Sequence, residues 1–76
     1  MVTVLRSGPF RIVVFKDDHL PAHVHVFGDG EAKIDISGLA PRLILNTMRK
    51  GELRKATELI AEQQVFLLEK WREIHG

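Results

Sequence analysis

The sequence predicts an α+β fold in which a small antiparallel sheet of three or four strands packs against one long C-terminal α-helix. Residues 1–37 have the two-residue apolar period and the β-branched side chains of strands, and Gly and Pro interrupt them at short intervals. From about residue 48, apolar residues instead recur every three or four positions. We therefore expect a single domain, with the sheet in residues 1–37, a connection in 38–47 and the helix in 48–75.

The composition is that of a protein folded around its own core. Hydrophobic residues make up 45% of the 76 residues and charged residues 28%, and the lack of cysteine excludes disulfides and thiolate metal sites. Arg6 and Arg11 interrupt the N-terminal apolar run, which argues against a signal peptide or a membrane span. We expect a cytoplasmic protein without membrane association.

The first half of the chain divides into segments of strand character separated by turn signals. Pro21 lacks a backbone N–H and biases Leu20 to an extended conformation, so residues 17–22 are expected to form a loop. Gly28-Asp29-Gly30 is a further turn signal. The predicted strands cover residues 2–6, 10–16, 23–27 and 31–37.

The last two predicted strands form a hairpin whose register can be argued from the sequence. A two-residue turn would oppose His25 to Ile34 and would mix polar and apolar side chains on both faces. A three-residue loop, with Gly30 in the left-handed conformation, sorts the apolar side chains onto one face. That register pairs His25 with Lys33 and His23 with Asp35 on the polar face.

The helical segment is long relative to the sheet that it must cover. A straight helix of 25 residues spans roughly 37 Å, whereas strands of five to seven residues reach about 17 to 23 Å. Part of the helix is therefore expected to overhang the sheet and to form a homo-oligomer interface through Val65, Phe66 and Leu68. The stripe expected to face the core contains Leu53, Ala56, Ile60, Leu67 and Trp71.

Three of the four histidines lie within seven positions, at His19, His23 and His25. Alternate strand residues project on one face, so His23 and His25 can converge on one metal ion, with His19 folding over from the loop as a third nitrogen ligand. Nitrogen and oxygen ligands suit zinc, nickel or iron(II). The fourth histidine, His75, is expected to be unstructured. The candidate oxygen ligands are Asp17, Asp18 and Asp35.

The same residues also fit acid–base catalysis. Paired histidines near a carboxylate can deprotonate a ribose hydroxyl and protonate a leaving oxygen, as in a ribonuclease, and Lys33 beside His25 can neutralise a phosphate. A third alternative is a solvent-exposed polar strand face without a function, and all three stay open. The candidate catalytic residues are His19, His23, His25 and Asp35.

A basic cluster stands at the start of the predicted helix. Positive side chains in a first helical turn oppose the helix dipole, so a site that tolerates them can recruit phosphate or nucleic acid. The alternative is a solvated basic face in which Arg54 pairs with Glu58. The cluster consists of Arg49, Lys50, Arg54 and Lys55.

Two stretches, TVLRSGPFRIVVFKDDHLPAHVHV and ELRKATELIAEQQVFLLEKW, carry a resemblance to a known family. They resemble the bacterial family called domain of unknown function 4160. The features that they share with it are the opening Thr3-Val4-Leu5-Arg6, the segment Asp18-His19-x-Pro21-x-His23-Val24-His25-Val26, the helix start Glu52-Leu53-Arg54, and Trp71.

The resemblance implies a small α+β domain that is often encoded beside a second small protein, in a toxin–antitoxin-like gene pair. It implies no settled activity. From it we expect a toxin-like component that binds the partner protein encoded by the neighbouring gene, and RNA, with ribonuclease chemistry at the histidines. The alternative is a non-catalytic metal- or protein-binding module that uses the face with His19, His23 and His25.

Overall fold

The sheet is a meander of five antiparallel strands in the order of the chain, and two helices follow it. The computed structural model describes residues 1–76. It confirms the predicted α+β class. The predicted number of strands, three or four, and the predicted single long helix were wrong. The elements are β1 (Val2–Ser7), β2 (Phe10–Val14), β3 (His23–Phe27), β4 (Glu31–Asp35), β5 (Arg42–Asn46), α1 (Lys50–Glu62) and α2 (Gln64–His75).

The fifth strand lies in the segment that we expected to be a connection, residues 38–47. β5 is an edge strand on which all five residues are exposed. Its pairing with β4 shifts register between Lys33, opposite Leu45, and Ile34, opposite Leu43, so Ile44 is the extra residue of a bulge. Apolar and polar residues alternate along a strand when one of its faces is buried. The sequence of an exposed and bulged strand therefore lacks this alternation.

The register predicted for the β3–β4 hairpin is confirmed. Val24 lies opposite Ile34, His25 opposite Lys33 and His23 opposite Asp35, across a three-residue loop. The left-handed conformation expected at Gly30 was wrong, because only Gly8 and Gly76 have positive φ.

Glycine is required at Gly30 by close packing. A Cβ atom there would lie 2.8 Å from the Thr47 carbonyl oxygen and 2.9 Å from the Met48 nitrogen. Glu52 in the first turn of α1 also accepts hydrogen bonds from the Asp29 and Gly30 amides, at 2.7 and 3.2 Å. The hairpin tip is therefore held directly against the start of α1.

This close packing predicts opposite effects for two glycine substitutions. Gly30→Ala should lower the free energy of unfolding by about 1–3 kcal/mol, because the new methyl group meets backbone atoms that cannot rotate away. Gly51→Ala is the matched control: its added methyl meets nothing within 4 Å, and alanine favours the helix, so the protein should keep or gain stability. Urea unfolding measures both, and equal effects would contradict the packing described for Gly30.

The core lies between the apolar face of the sheet and the two helices. Alternate residues of β2, β3 and β4 point into it, as the two-residue period predicted. The helices add side chains spaced three, four or seven residues apart. The largest fully buried core side chains are Ile12, Val14, Val24, Val26, Ile34, Ile36, Ile60 and Leu67.

The predicted single helix is divided at Gln63, which ends α1 and precedes α2 with φ −107° and ψ 12°. The next side chain, Gln64, donates to the carbonyl oxygens of Ile36 at 3.0 Å and Gly38 at 2.8 Å, and so ties the break to the end of the sheet. The whole molecule is only 34 Å long, shorter than the roughly 37 Å of an unbroken helix. The break turns Leu67 and Trp71 back onto the core.

The residues predicted to form a self-association interface differ in exposure. Val65 is 75% exposed and Phe66 36%, with the Lys70 ammonium 5.5 Å from the Phe66 ring centroid. Leu68 is half-buried and packs against the core. Self-association through Val65, Phe66 and Leu68 stays a prediction. Neither helix has the length and apolar character needed to cross a membrane.

Candidate metal centre

The loop between β2 and β3 places a carboxylate over the polar face of the sheet. The Asp18 amide donates to the Phe15 carbonyl oxygen at 3.1 Å, and the Phe15 amide donates to Asp18 Oδ2 at 3.2 Å. These two bonds close a local turn, of the kind that aspartate side chains form with nearby backbone groups. The turn fixes the direction of the Asp18 side chain.

Asp18, His23 and His25 form a compact cluster. Asp18 Oδ2 lies 3.3 Å from His23 Nε2 and 3.3 Å from His25 Nε2. One ligand atom from each of the three residues lies within 4.8 Å of the others. The convergence predicted for His23 and His25 is present, whereas His19 is exposed and lies outside the cluster, so the carboxylate of Asp18 takes the place expected for its imidazole.

The cluster is more buried than we expected from a polar strand face. His23 is 5% exposed, and the side chains of His25 and Asp18 are 13% and 17% exposed. Aromatic rings form the walls: Trp71 lies 5.2 Å from the His23 ring, and Phe15 lies 4.6 Å from the His25 ring, edge to face. The imidazoles are shielded from solvent because α2 brings Trp71 against His23.

The backbone fixes which nitrogen of His23 carries a hydrogen. His23 Nδ1 lies 2.8 Å from the Pro21 carbonyl oxygen, and a carbonyl oxygen can only accept, so Nδ1 donates. In the neutral ring, Nε2 then holds a bare lone pair directed toward a carboxylate oxygen that also has only lone pairs. Two electron-rich atoms at 3.3 Å attract each other only when a proton or a metal ion lies between them.

The remaining nitrogens of the cluster lack hydrogen-bond partners as well. The contacts of Asp18 with the two Nε2 atoms, and of Glu31 with His25 Nδ1 at 3.8 Å, have ion-pair distances but are not hydrogen bonds, so all three buried nitrogens lack a hydrogen-bond partner. Burial lowers the pKa of His25; Asp18 opposes this shift, while His23 and Lys33 add to it. Buried polar atoms without a partner in the protein are uncommon, and a water molecule or an ion is the usual partner of those that occur.

Asp35 lies opposite His23 in the strand register, as predicted. Its carboxylate, however, makes its contacts outside the histidine cluster. It accepts hydrogen bonds from the Ser37 amide at 2.8 Å and the Ser37 hydroxyl at 2.6 Å, and it pairs with Arg42 at 3.2 Å. The bonds from Ser37 hold the pKa of Asp35 below its usual value, and Arg42 adds to the effect. The structure thus places Asp35 at the end of β4, outside the cluster.

The lowered pKa of Asp35 predicts a pH-dependent contribution to stability. It is fully present above the ordinary value of 3.8 and is lost as the pH falls through the lower value of the folded state. Asp35→Asn should therefore cost about 1–2 kcal/mol at pH 7 and less at pH 3. Urea unfolding at the two pH values, with the exposed Asp29→Asn as control, measures this. A cost that is the same at both values would contradict it.

His75 is a residue whose position the sequence did not predict. It is the last residue of α2 rather than unstructured, and its ring stacks on Trp71 with 3.8 Å between centroids. Its Nδ1 donates to the Trp71 carbonyl oxygen at 3.0 Å, and its Nε2 is buried without a partner. The four-residue spacing from Trp71 was the available signal, because residues four apart are neighbours on a helix.

The predicted basic cluster lies at the start of α1, outside the histidine site. Arg49 precedes the helix without a side-chain capping bond, and the expected pair of Arg54 with Glu58 is not formed. Phosphate or nucleic-acid binding by these residues stays a prediction. The four side chains, all exposed, belong to Arg49, Lys50, Arg54 and Lys55.

The fold and the site together define a small α+β domain with a buried carboxylate–histidine cluster on one face of a five-stranded meander. The chain belongs to the family described as domain of unknown function 4160, whose family model matches residues 10–72. That match covers both histidines of the cluster, Asp18 and Trp71, and confirms the family resemblance. Searches of curated proteins and of solved structures found no match to the chain.

Proposed function

We propose that this protein is a metal-binding domain in which Asp18, His23 and His25 bind one divalent transition-metal ion. The observation that carries the proposal is the hydrogen bond from His23 Nδ1 to Pro21, which turns the bare Nε2 of His23 toward Asp18. Metal-binding histidines typically donate their other ring N–H to a backbone carbonyl or a carboxylate in this way.

The distances in the cluster suit a first-row metal ion. Ligands roughly 2.0–2.1 Å from a tetrahedral ion lie about 3.3 Å apart, which matches both contacts of Asp18 Oδ2 with the imidazoles. The three ligand atoms all lie within 4.8 Å, so small side-chain rotations bring them to one ion. Two nitrogens and one oxygen suit zinc, nickel or iron(II) rather than calcium or magnesium.

Three protein ligands leave at least one coordination position for water or another ligand. Such an open position distinguishes catalytic zinc sites from closed structural sites with four protein ligands. A bound ion supplies Lewis-acid chemistry at that position. The aromatic walls formed by Phe15 and Trp71 keep the imidazoles dry, and this strengthens their attraction for a cation.

Metal-free acid–base cleavage of RNA has weaker support from the same geometry. A catalytic base must come within about 3 Å of the proton that it removes, either directly or through a water molecule. His23 Nε2 and both nitrogens of His25 have almost no exposed surface in this conformation, which disfavours direct contact with a ribose hydroxyl. A metal ion is small enough to reach these nitrogens.

The toxin-like role in a two-gene module, the partner protein and RNA binding remain proposals that follow from the family resemblance. An RNA degradation assay in EDTA tests cleavage without a metal. Growth after induction of this gene, alone and together with its neighbour, tests the toxin-like role. Neither outcome depends on the metal proposal.

Equilibrium dialysis against zinc, followed by metal analysis, tests the proposed function. The chelator-treated protein should take up one zinc ion per chain. His25→Gln should abolish this uptake because it removes one of the three ligands, whereas His19→Gln, in the exposed loop, should leave it unchanged. No uptake by the folded wild-type protein, or loss of uptake in the His19 variant alone, would overturn the proposal.

A further inference from the structure

A cavity of about 470 Å³ opens beside the metal cluster on the polar face of the sheet. The loop after β2 forms one side of it, and β4 and β5 form the other. Asp18 and His23 contribute both to this wall and to the cluster, so a ligand in the cavity would lie next to a bound metal ion. The charged and imidazole side chains that line it are Asp17, Asp18, His19, His23, Lys33 and Arg42.

Two cations of this cavity are available to a ligand. Lys33 is half-buried and has no carboxylate within ion-pair distance. Arg42 has a side chain that is 76% exposed and uses one Nη2 group on Asp35, which leaves most of its five N–H donors free. Both side chains therefore line the cavity and have hydrogen-bond donors without a protein acceptor.

A metal ion adds two positive charges beside the cavity. Without one, the carboxylates of Asp17, Asp18 and Asp35 outnumber the cations of Lys33 and Arg42, and Glu31 Oε2 lies 3.8 Å from His25 Nδ1. A divalent ion on Asp18, His23 and His25 removes this negative excess. Attraction for an anion should therefore depend on the bound metal.

We propose that this cavity binds the phosphate group of a small molecule when the metal is present, an inference that rests on the proposed metal site. A phosphate group offers at least three oxygen acceptors, one for each of the metal, Lys33 and Arg42. A carboxylate has only two oxygens, so it cannot give each of these three cations an oxygen of its own. The cavity is larger than a phosphate ion, which leaves room for the organic part of a phosphomonoester beside Ile44 and Leu20.

Calorimetric titration of inorganic phosphate into the zinc-loaded chain, freed of excess zinc by gel filtration, tests this inference. One phosphate should bind per chain, with at least about tenfold lower affinity for the zinc-free protein and for acetate as ligand. Lys33→Gln should weaken phosphate binding about tenfold at unchanged zinc content, while Lys33→Arg, which keeps the charge, should bind within about threefold of wild type. Lys50→Gln, in the basic cluster at the start of α1, should leave this zinc-dependent phosphate binding unchanged.

The other possible results distinguish failure of this inference from failure of the proposed function. If the wild-type protein takes up no zinc in the preceding metal analysis, both this inference and the proposed function fall. If zinc is bound but phosphate binds equally well without it, or Lys33→Gln binds normally, or acetate binds as tightly, only this inference is overturned. Loss of phosphate binding in Lys50→Gln would overturn it too, because the anion would then bind at the start of α1.

Discussion

Replacing Asp18 with asparagine should lower the affinity for zinc by about a hundredfold or more. Loss of a group that only orients a metal ligand typically costs 10- to 100-fold, and Asp18 is the one carboxylate that contacts both imidazoles, at 3.3 Å each. Asparagine keeps the shape of the side chain and an oxygen that can accept from the Phe15 amide. The metal-free variant should therefore stay folded.

Asp17→Asn is the matched control for this substitution. Asp17 is adjacent in the chain and equally charged, but it is exposed and outside the cluster. Asp17→Asn should bind zinc with the affinity of the wild type, as measured by competition with a chromophoric chelator. Zinc should also raise the thermal midpoint of this variant as much as it raises that of the wild type. Equal losses of zinc affinity in Asp17→Asn and Asp18→Asn would show that general negative charge, rather than ligation by Asp18, attracts the ion.

Replacing Trp71 with alanine should lower the free energy of unfolding by about 3–5 kcal/mol, the usual cost of removing a buried aromatic ring. Trp71 is 4% exposed, packs against His23 at 5.2 Å and stacks on His75 at 3.8 Å. Since a small domain has a net stability of about 5–15 kcal/mol, this variant loses a large share of it. Far-UV circular dichroism during urea unfolding measures the loss.

Circular dichroism is the suitable signal for that experiment because Trp71 is the only tryptophan and its fluorescence disappears in the variant. Arg72→Ala serves as the control, since Arg72 is the next residue of α2 and is exposed. It should change stability by no more than about 0.5 kcal/mol. A loss below about 1 kcal/mol for Trp71→Ala would mean that the end of α2 does not pack on the sheet.

The sheet could be predicted from the sequence wherever one of its faces is buried. In β3 and β4 the alternation of apolar and polar residues determined both the strands and their register, because any other pairing would have placed polar side chains in the core. β5 could not be predicted, since both of its faces are exposed and Ile44 forms a bulge. Tertiary packing also overrode a continuous helical pattern at Gln63.

The candidate site could be predicted only in part, for a related reason. His23 and His25 converge because alternate residues of a strand share a face, a rule that needs no tertiary information. Which loop residue joins them depends on a local turn, and the bond between Phe15 and Asp18 selects Asp18 over His19. The burial of the site depends on the path of α2 after the helix break, which no local pattern determines.

The most direct test of the metal site is anomalous diffraction from crystals of the protein grown with one equivalent of zinc. Data collected on both sides of the zinc absorption edge locate the ion independently of the protein atoms. One peak should lie about 2 Å from Asp18 Oδ2, His23 Nε2 and His25 Nε2. A fully occupied peak elsewhere, with His23 Nε2 and His25 Nε2 free of metal, would contradict the account.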